Sequence, residues 1–126
     1  MAEIGRGLLV LAGVGLAERD DEVAWLAGKL VNLRIFEDAD GKMNLSVRDV
    51  EGEVLIVPQF TLYGDARKGR RPSWAAAAPP DLARERVEAL AEAIGQMGVP
   101  VRRGSFQEHM EVELVNDGPV TLVLER

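Results

Sequence analysis

Two stretches of this chain repeat their apolar residues at helical spacing, and glycine, proline and aspartate cut the rest into apolar runs too short to be helices. Asp20 or Asp21 can cap the first helix, in which Val23, Leu26, Ala27, Leu30 and Val31 recur at three and four, making one apolar stripe that ends near Leu33. The second starts at Pro79, Pro80 and Asp81. There Val87, Leu90, Ala91 and Ile94 face one way and Arg84, Glu85, Glu88 and Glu92 the other, before Gly98 and Pro100 close the segment. Residues 7–14, 54–57, 99–102, 110–115 and 120–124 read as strands, and residues 35–36 and 44–47 as a hairpin turning through Asp38 to Gly41. At 126 residues the chain holds one core and one domain, 1–126, with no repeat or linker. The expected fold is α+β, with two main helices packed on a largely antiparallel, barrel-like sheet system.

The side-chain inventory narrows the chemistry. Zero cysteines exclude disulfides, thiolate nucleophiles and cysteine-ligated metal, and one histidine excludes any site that needs two imidazoles. That histidine, His109, sits beside the alternating run 110–114 and reads as a rim residue rather than a triad member. No apolar run is long enough to span a bilayer. The first seven residues carry an acid and two glycines before a short apolar segment, unlike a signal peptide, so a cytoplasmic location is expected. A net charge of −6 argues against a general nucleic-acid coat protein. Even so, Arg67, Lys68, Arg70 and Arg71 fall within five residues, with Arg102 and Arg103 as a second cluster, so a local basic patch can exist on an acidic body.

Two polar segments, each following an apolar strand-like run, are poorly suited to packing: Pro-Gln-Phe-Thr-Leu-Tyr-Gly at 58–64 and Asn-Asp-Gly-Pro-Val-Thr at 116–121. Small folds place chemistry in such turns. On their own residues the bland readings lead. Gln59 and Thr61 would satisfy backbone at a strand end, and residues 116–118 would make a hairpin turn between Val115 and Val120. The long segment 64–80, rich in glycine, arginine, alanine and proline, is of a length that compact domains usually reserve for function or motion.

Together with Asn-Leu-Arg-Ile-Phe-Glu-Asp at 32–38, Gly-Lys-Met-Asn-Leu at 41–45 and Lys-Gly-Arg-Arg-Pro-Ser at 68–73, these segments resemble the D-aminoacyl-tRNA deacylases, from about Glu3 to the C-terminus. The resemblance implies a homodimeric α+β hydrolase acting on the ester of D-aminoacyl-tRNA as chiral proofreading in translation, with glycyl-tRNA also admitted. It implies Gln59, Phe60 and Thr61 as the catalytic group, the amides of Phe60 and Thr61 serving as oxyanion donors. It implies a cis Gly118–Pro119 element that enters the partner's pocket, takes the substrate ammonium on its carbonyls and excludes an L side chain. It places Lys68, Arg70 and Arg71 on tRNA phosphates. The partners it implies are aminoacyl-tRNA and a second copy, with no DNA, membrane, cofactor or metal. This chemistry suits a chain poor in acid–base groups, because the ester is labile, its ribose hydroxyl can assist, and backbone can supply orientation and polarisation.

The sequence also departs from the family pattern. Members ordinarily carry a further strand pair, about fifteen to twenty residues on normal strand lengths, ahead of a segment like that at Glu3. Pro58 stands where serine is commonest. A proline there also resembles a sister group of tRNA deacylases with a trans Gly-Pro and L-alanyl mischarged substrates, against which Phe60 and the intact Gly-Pro-Val-Thr weigh. A non-catalytic tRNA-binding dimeric module is the rival from another class. A metal hydrolase built on Glu37, Asp38 and Asp40 is weaker, since those residues serve a hairpin turn.

Overall fold

The computed structural model of the chain describes residues 2–16, 20–104 and 110–125. His109, expected at a rim, lies outside them. In chain order the elements are β1 (Gly7–Ala12), α1 (Asp20–Asn32), β2 (Phe36–Glu37), β3 (Met43–Leu45), β4 (Glu53–Pro58), a 3-10 turn (Phe60–Tyr63), α2 (Pro80–Gln96) and β5 (Val101–Arg103).

Strand β4 lies at the centre of a three-stranded sheet of order β1-β4-β5, which explains its unbroken apolar run. Val54 and Ile56 are fully buried and Val57 nearly so. Both of its neighbours run parallel to it, with Gly7 opposite Glu53 and Ala12 opposite Pro58 on one side, and Val54 opposite Val101 on the other. This corrects the expectation of a largely antiparallel system. Parallel neighbours need long crossovers, and the two amphipathic helices supply them, α1 with the hairpin between β1 and β4, and α2 between β4 and β5. Periodicity shows which residues are strands but not which way their partners run. Antiparallel pairing holds for β2 and β3.

The helical stripes meet as the spacing requires. Ala27, Leu30 and Val31 of α1 and Ala83, Val87, Leu90, Ala91 and Ile94 of α2 form the core with Val54, Ile56 and Val99. The single α+β domain is therefore as expected, but among the described residues the sheet does not close into a barrel. The strands expected at 110–115 and 120–124 also fail to form, since among the described residues neither segment pairs with the sheet. Most of their apolar side chains stay in solvent, with Val115 89% and Val123 82% exposed, while Leu124 packs against the core. A strand is stabilised by its partner, and apolar alternation does not provide one.

The hairpin has a local cause. Asp38 Oδ1 accepts from the N–H groups of Asp40 at 2.9 Å and Lys42 at 3.0 Å, while Oδ2 accepts from Asn44 Nδ2 at 2.8 Å. Gly41 supplies the positive φ of 75° that the turn needs. The Asn44 amide, followed by the Lys42 and Asp40 backbone donors, holds the Asp38 carboxyl below its ordinary range. The Asp38 oxygens are committed to hairpin closure, which is the simpler role that the sequence assigns them.

Candidate active site

Strand β4 delivers the chain into the first motif. Gln59 still behaves as sheet, its N–H donating to Ala12 carbonyl at 2.8 Å, and then the backbone tightens into the 3-10 turn. Leu62 N–H donates to Gln59 carbonyl at 3.3 Å and Gly64 N–H to Thr61 carbonyl at 3.0 Å. The first amides of such a turn have no partner within it. Among the described residues nothing accepts from the N–H groups of Phe60 and Thr61, and Gln59 provides no side-chain cap. The sequence reading of a fraying strand is thus refined to an ordered turn that keeps two adjacent donors uncommitted.

Gln59 Nε2 donates to Thr61 Oγ1. This bond uses a lone pair of the hydroxyl and leaves its hydrogen available for donation. A primary amide cannot take a proton from a hydroxyl, so this contact positions Thr61 and does not activate it as a nucleophile. The turn is seated from behind by Tyr63, whose ring lies so close to the backbone after β1 that a Cβ at Gly13 or Gly15 would approach it to 3.1 and 3.0 Å. Gly13 and Gly15 make room for this aromatic.

The basic loop returns to the same place. Asp65 and Ser73 exchange backbone hydrogen bonds of 2.8 Å each, closing the loop between them. Its base is aromatic, with Phe60 and Trp74 edge to face at a centroid separation of 5.4 Å and an interplanar angle of 67°. Of the four clustered cations, Arg67 is pinned to Asp65, its Nε at 2.9 Å from Oδ1 and its Nη2 at 2.7 Å from Oδ2. The guanidinium holds the Asp65 carboxyl low, and the carboxylate raises Arg67 in return. Lys68, Arg70 and Arg71 are exposed and have no ion-pair partner among the described residues.

The structure therefore brings Gln59, Phe60 and Thr61 together with the loop carrying Lys68, Arg70 and Arg71. It does not bring Gly118 and Pro119 to them, since among the described residues no hydrogen bond or ring contact links the two motifs. No peptide bond is cis among the described residues, so Gly118–Pro119 is trans in this chain, in contrast to the isomer that the resemblance implies. The cis form before proline costs about 0.5–1 kcal/mol where nothing compensates it.

Sequence reasoning missed three contributors: Trp74 at the rim, Tyr63 behind the turn, and the side chain of Asn116. The signal for Trp74 was present, since a large aromatic in a polar loop seldom stands free. The Gly13 and Gly15 spacing was readable only as punctuation until its occupant was known.

The family model described as D-Tyr-tRNA(Tyr) deacylase matches residues 1–125. A D-aminoacyl-tRNA deacylase of Thermotoga petrophila is 56% identical over 97% of this chain and 82% of its own length. One of Thermosipho africanus is 54% identical over 99% of this chain and 84% of its own. Among solved structures, a c-Myc DNA Unwinding Element Binding Protein superposes with a TM-score of 0.90 at 38% identity, covering 98% of this chain and 84% of that one. A probable eukaryotic D-amino acid tRNA deacylase at 21% identity and a TM-score of 0.64 shares the fold. With a match that runs almost from end to end and relatives identical at more than half of the aligned positions, the chain belongs to the D-Tyr-tRNA(Tyr) deacylase family.

Proposed function

We propose that the protein hydrolyses the ester joining a D-amino acid to the terminal ribose of tRNA, releasing the free D-amino acid and tRNA as a proofreading step in translation. The observation that carries this reading is the pair of N–H groups on Phe60 and Thr61 that meet no acceptor among the described residues, in an ordered turn at the end of β4. Donors of this kind stabilise the oxyanion that forms when water adds to an ester carbonyl, and losing one typically costs about 100- to 1,000-fold in rate. Gln59 orients the Thr61 hydroxyl, which hydrogen-bonds substrate, and the neighbouring ribose hydroxyl assists bond cleavage. Water supplies the new oxygen of the carboxylate, and the ribose oxygen leaves with a proton.

Lys68, Arg70 and Arg71 would hold phosphates of the acceptor end, close to the turn through the Phe60–Trp74 contact. Chirality would be read by Gly118 and Pro119 of a second copy, whose carbonyls receive the α-ammonium while their backbone blocks an L side chain. Within one chain no hydrogen bond or ring contact among the described residues joins those residues to Gln59 or Thr61, which supports a homodimeric site. The exposed flanking residues Val112, Leu114, Val115, Leu122 and Val123 also support it. In a homodimer the partner pocket would favour whichever proline isomer it binds better. Charged tRNA is used in the cytoplasm, and among the described residues no helix is long and apolar enough to cross a membrane.

The deciding experiment measures ester loss from matched D- and L-tyrosyl-tRNA, with glycyl- and L-alanyl-tRNA alongside. Fast loss of the D form and measurable loss of the glycyl form are expected. Equal turnover of the mirror images would falsify the chiral reading, and preference for L-alanyl-tRNA would assign the chain to the sister chemistry.

A further inference from the structure

The turn carrying Gly118 and Pro119 is closed by a side chain. Asn116 Oδ1 accepts from Val120 N–H at 3.3 Å, and Asn116 Nδ2 donates to Thr121 Oγ1 at 2.9 Å. The two ends of one planar amide thus grip the two residues that follow Pro119. Among the described residues no backbone–backbone hydrogen bond spans 116–121, so the carbonyls of the turn stay available to a ligand. Few side chains fit this task, because the clip needs an acceptor and a donor fixed relative to one another, and asparagine offers both on its shortest stem.

Gly118 has a φ of 146°, a conformation that side-chain-bearing residues rarely adopt. A Cβ there would meet Val120 N no closer than 3.4 Å, so the glycine serves the torsion and not a lack of space. Asn116, Asp117, Gly118, Pro119 and Thr121 are all exposed. Two hydrogen bonds in solvent add little to global stability, so what the clip fixes is the local geometry of the turn.

We propose that Asn116 is a positioning residue that sets stereochemical selectivity by holding the Gly118–Pro119 backbone in place. The proposal rests on the functional reading above, in which that backbone excludes the L side chain. An exclusion wall made of main chain discriminates only as sharply as it is fixed. A displacement of about 1 Å at a positioning element is enough to lose about 100-fold in rate. Releasing the clip therefore both weakens the hold on the D substrate and opens space for its mirror image.

The test compares the full-length wild type with Asn116→Ala, Thr121→Val and Thr121→Ser on D- and L-tyrosyl-tRNA, with the melting temperature of each variant. Asn116→Ala is expected to lower the ratio of D to L turnover about 10- to 100-fold, through a slower D reaction and a faster L reaction, at an unchanged melting temperature. Thr121→Val, which removes one of the two bonds, gives a smaller drop, and Thr121→Ser, which keeps the hydroxyl, restores the wild-type ratio. A wild-type ratio in Asn116→Ala overturns the proposal while leaving the functional reading intact, and so does a loss that merely follows a lowered melting temperature. A wild type that treats the mirror images alike fails the functional reading itself, and the clip then has no selectivity to set.

Discussion

Trp74 lies on Gly64 so closely that a Cβ at position 64 would come within 2.4 Å of its Cζ3 atom. The glycine is required here for space, because its φ of −64° and ψ of 127° are ordinary. Gly64→Ala must therefore push Trp74 off Phe60. We expect a stability loss of about 1–3 kcal/mol, as for other overpacked contacts, with a larger fall in ester hydrolysis than the stability change explains. Denaturant unfolding and tryptophan emission would register the two effects separately, and a variant with unchanged emission and activity would show that the ring does not order the rim.

Among the described residues the loop cations divide into Arg67, which is paired, and Lys68, Arg70 and Arg71, which have no ion-pair partner. Single-stranded nucleic acid binding loses about 0.7 in the slope of log affinity against log salt for each phosphate contact removed. Arg70→Ala and Arg71→Ala should each reduce the slope by about that amount, whereas Arg67→Ala, already paired with Asp65, should change it less. Apparent KM measured across a salt series checks the ranking, and equal slopes for all three variants would contradict it.

Thr61 offers a test of covalent catalysis. Positioned by Gln59 with no proton acceptor among the described residues, its hydroxyl should matter as a hydrogen-bonding group, so Thr61→Val should slow hydrolysis by up to about 100-fold and leave the reaction running. Rapid quenching of the wild type should capture no acyl-enzyme. Capturing one, or finding Thr61→Val wholly dead while still binding tRNA, would make the hydroxyl a nucleophile.

Acid should loosen the β2–β3 hairpin. The Asp38 carboxyl titrates below its unfolded value in the folded chain, chiefly because of the Asn44 amide. The folded state thus binds this proton less readily than the unfolded state does. The stabilisation is fully present above about pH 4, near the unfolded carboxylate range, and is lost as pH falls through the lower folded value. Thermal melts should show Asp38→Ala destabilised at pH 7, with the gap to wild type narrowing at pH 3. A gap independent of pH would mean that the carboxylate charge contributes nothing.

Burial separates the core from the C-terminal segment. Ile56 is fully buried in the central strand, and Ile56→Ala should cost about 2–5 kcal/mol through lost contacts and the cavity left behind. Val115→Ala, at an exposed position, should stay within about 0.5 kcal/mol in the isolated chain. Urea titration at low protein concentration tests both, and a large effect at Val115 there would place it in a core.

The helices were legible in the sequence because each carries its own instruction. The stripe of Val87, Leu90, Ala91 and Ile94 has one period and one solution. The Asp38–Gly41 turn was legible for the same reason, since its hydrogen bonds close within a few residues. Strand direction was not legible, because the run at 54–57 looks the same whichever way Leu8 and Val101 pass beside it. In the candidate site, Gln59, Phe60 and Thr61 could be named from their motif, and the loop cations from their clustering. That Arg67 would be taken by Asp65 while Arg70 would not depends on loop torsions, including the positive φ of Gly69, which composition does not encode. The C-terminal apolar runs misled because alternation signals a pleated surface without saying what lies against it.

The turn at Phe60–Tyr63 hangs from a strand whose two neighbours are drawn from far upstream and far downstream, Gly7 meeting Glu53 and Val54 meeting Val101. Contacts so remote along the chain form slowly, after the helices between them. During synthesis, then, the segment bearing Gln59 leaves the ribosome long before the last of its supports, and the strand that carries it gains its second neighbour only as the final quarter of the polypeptide arrives.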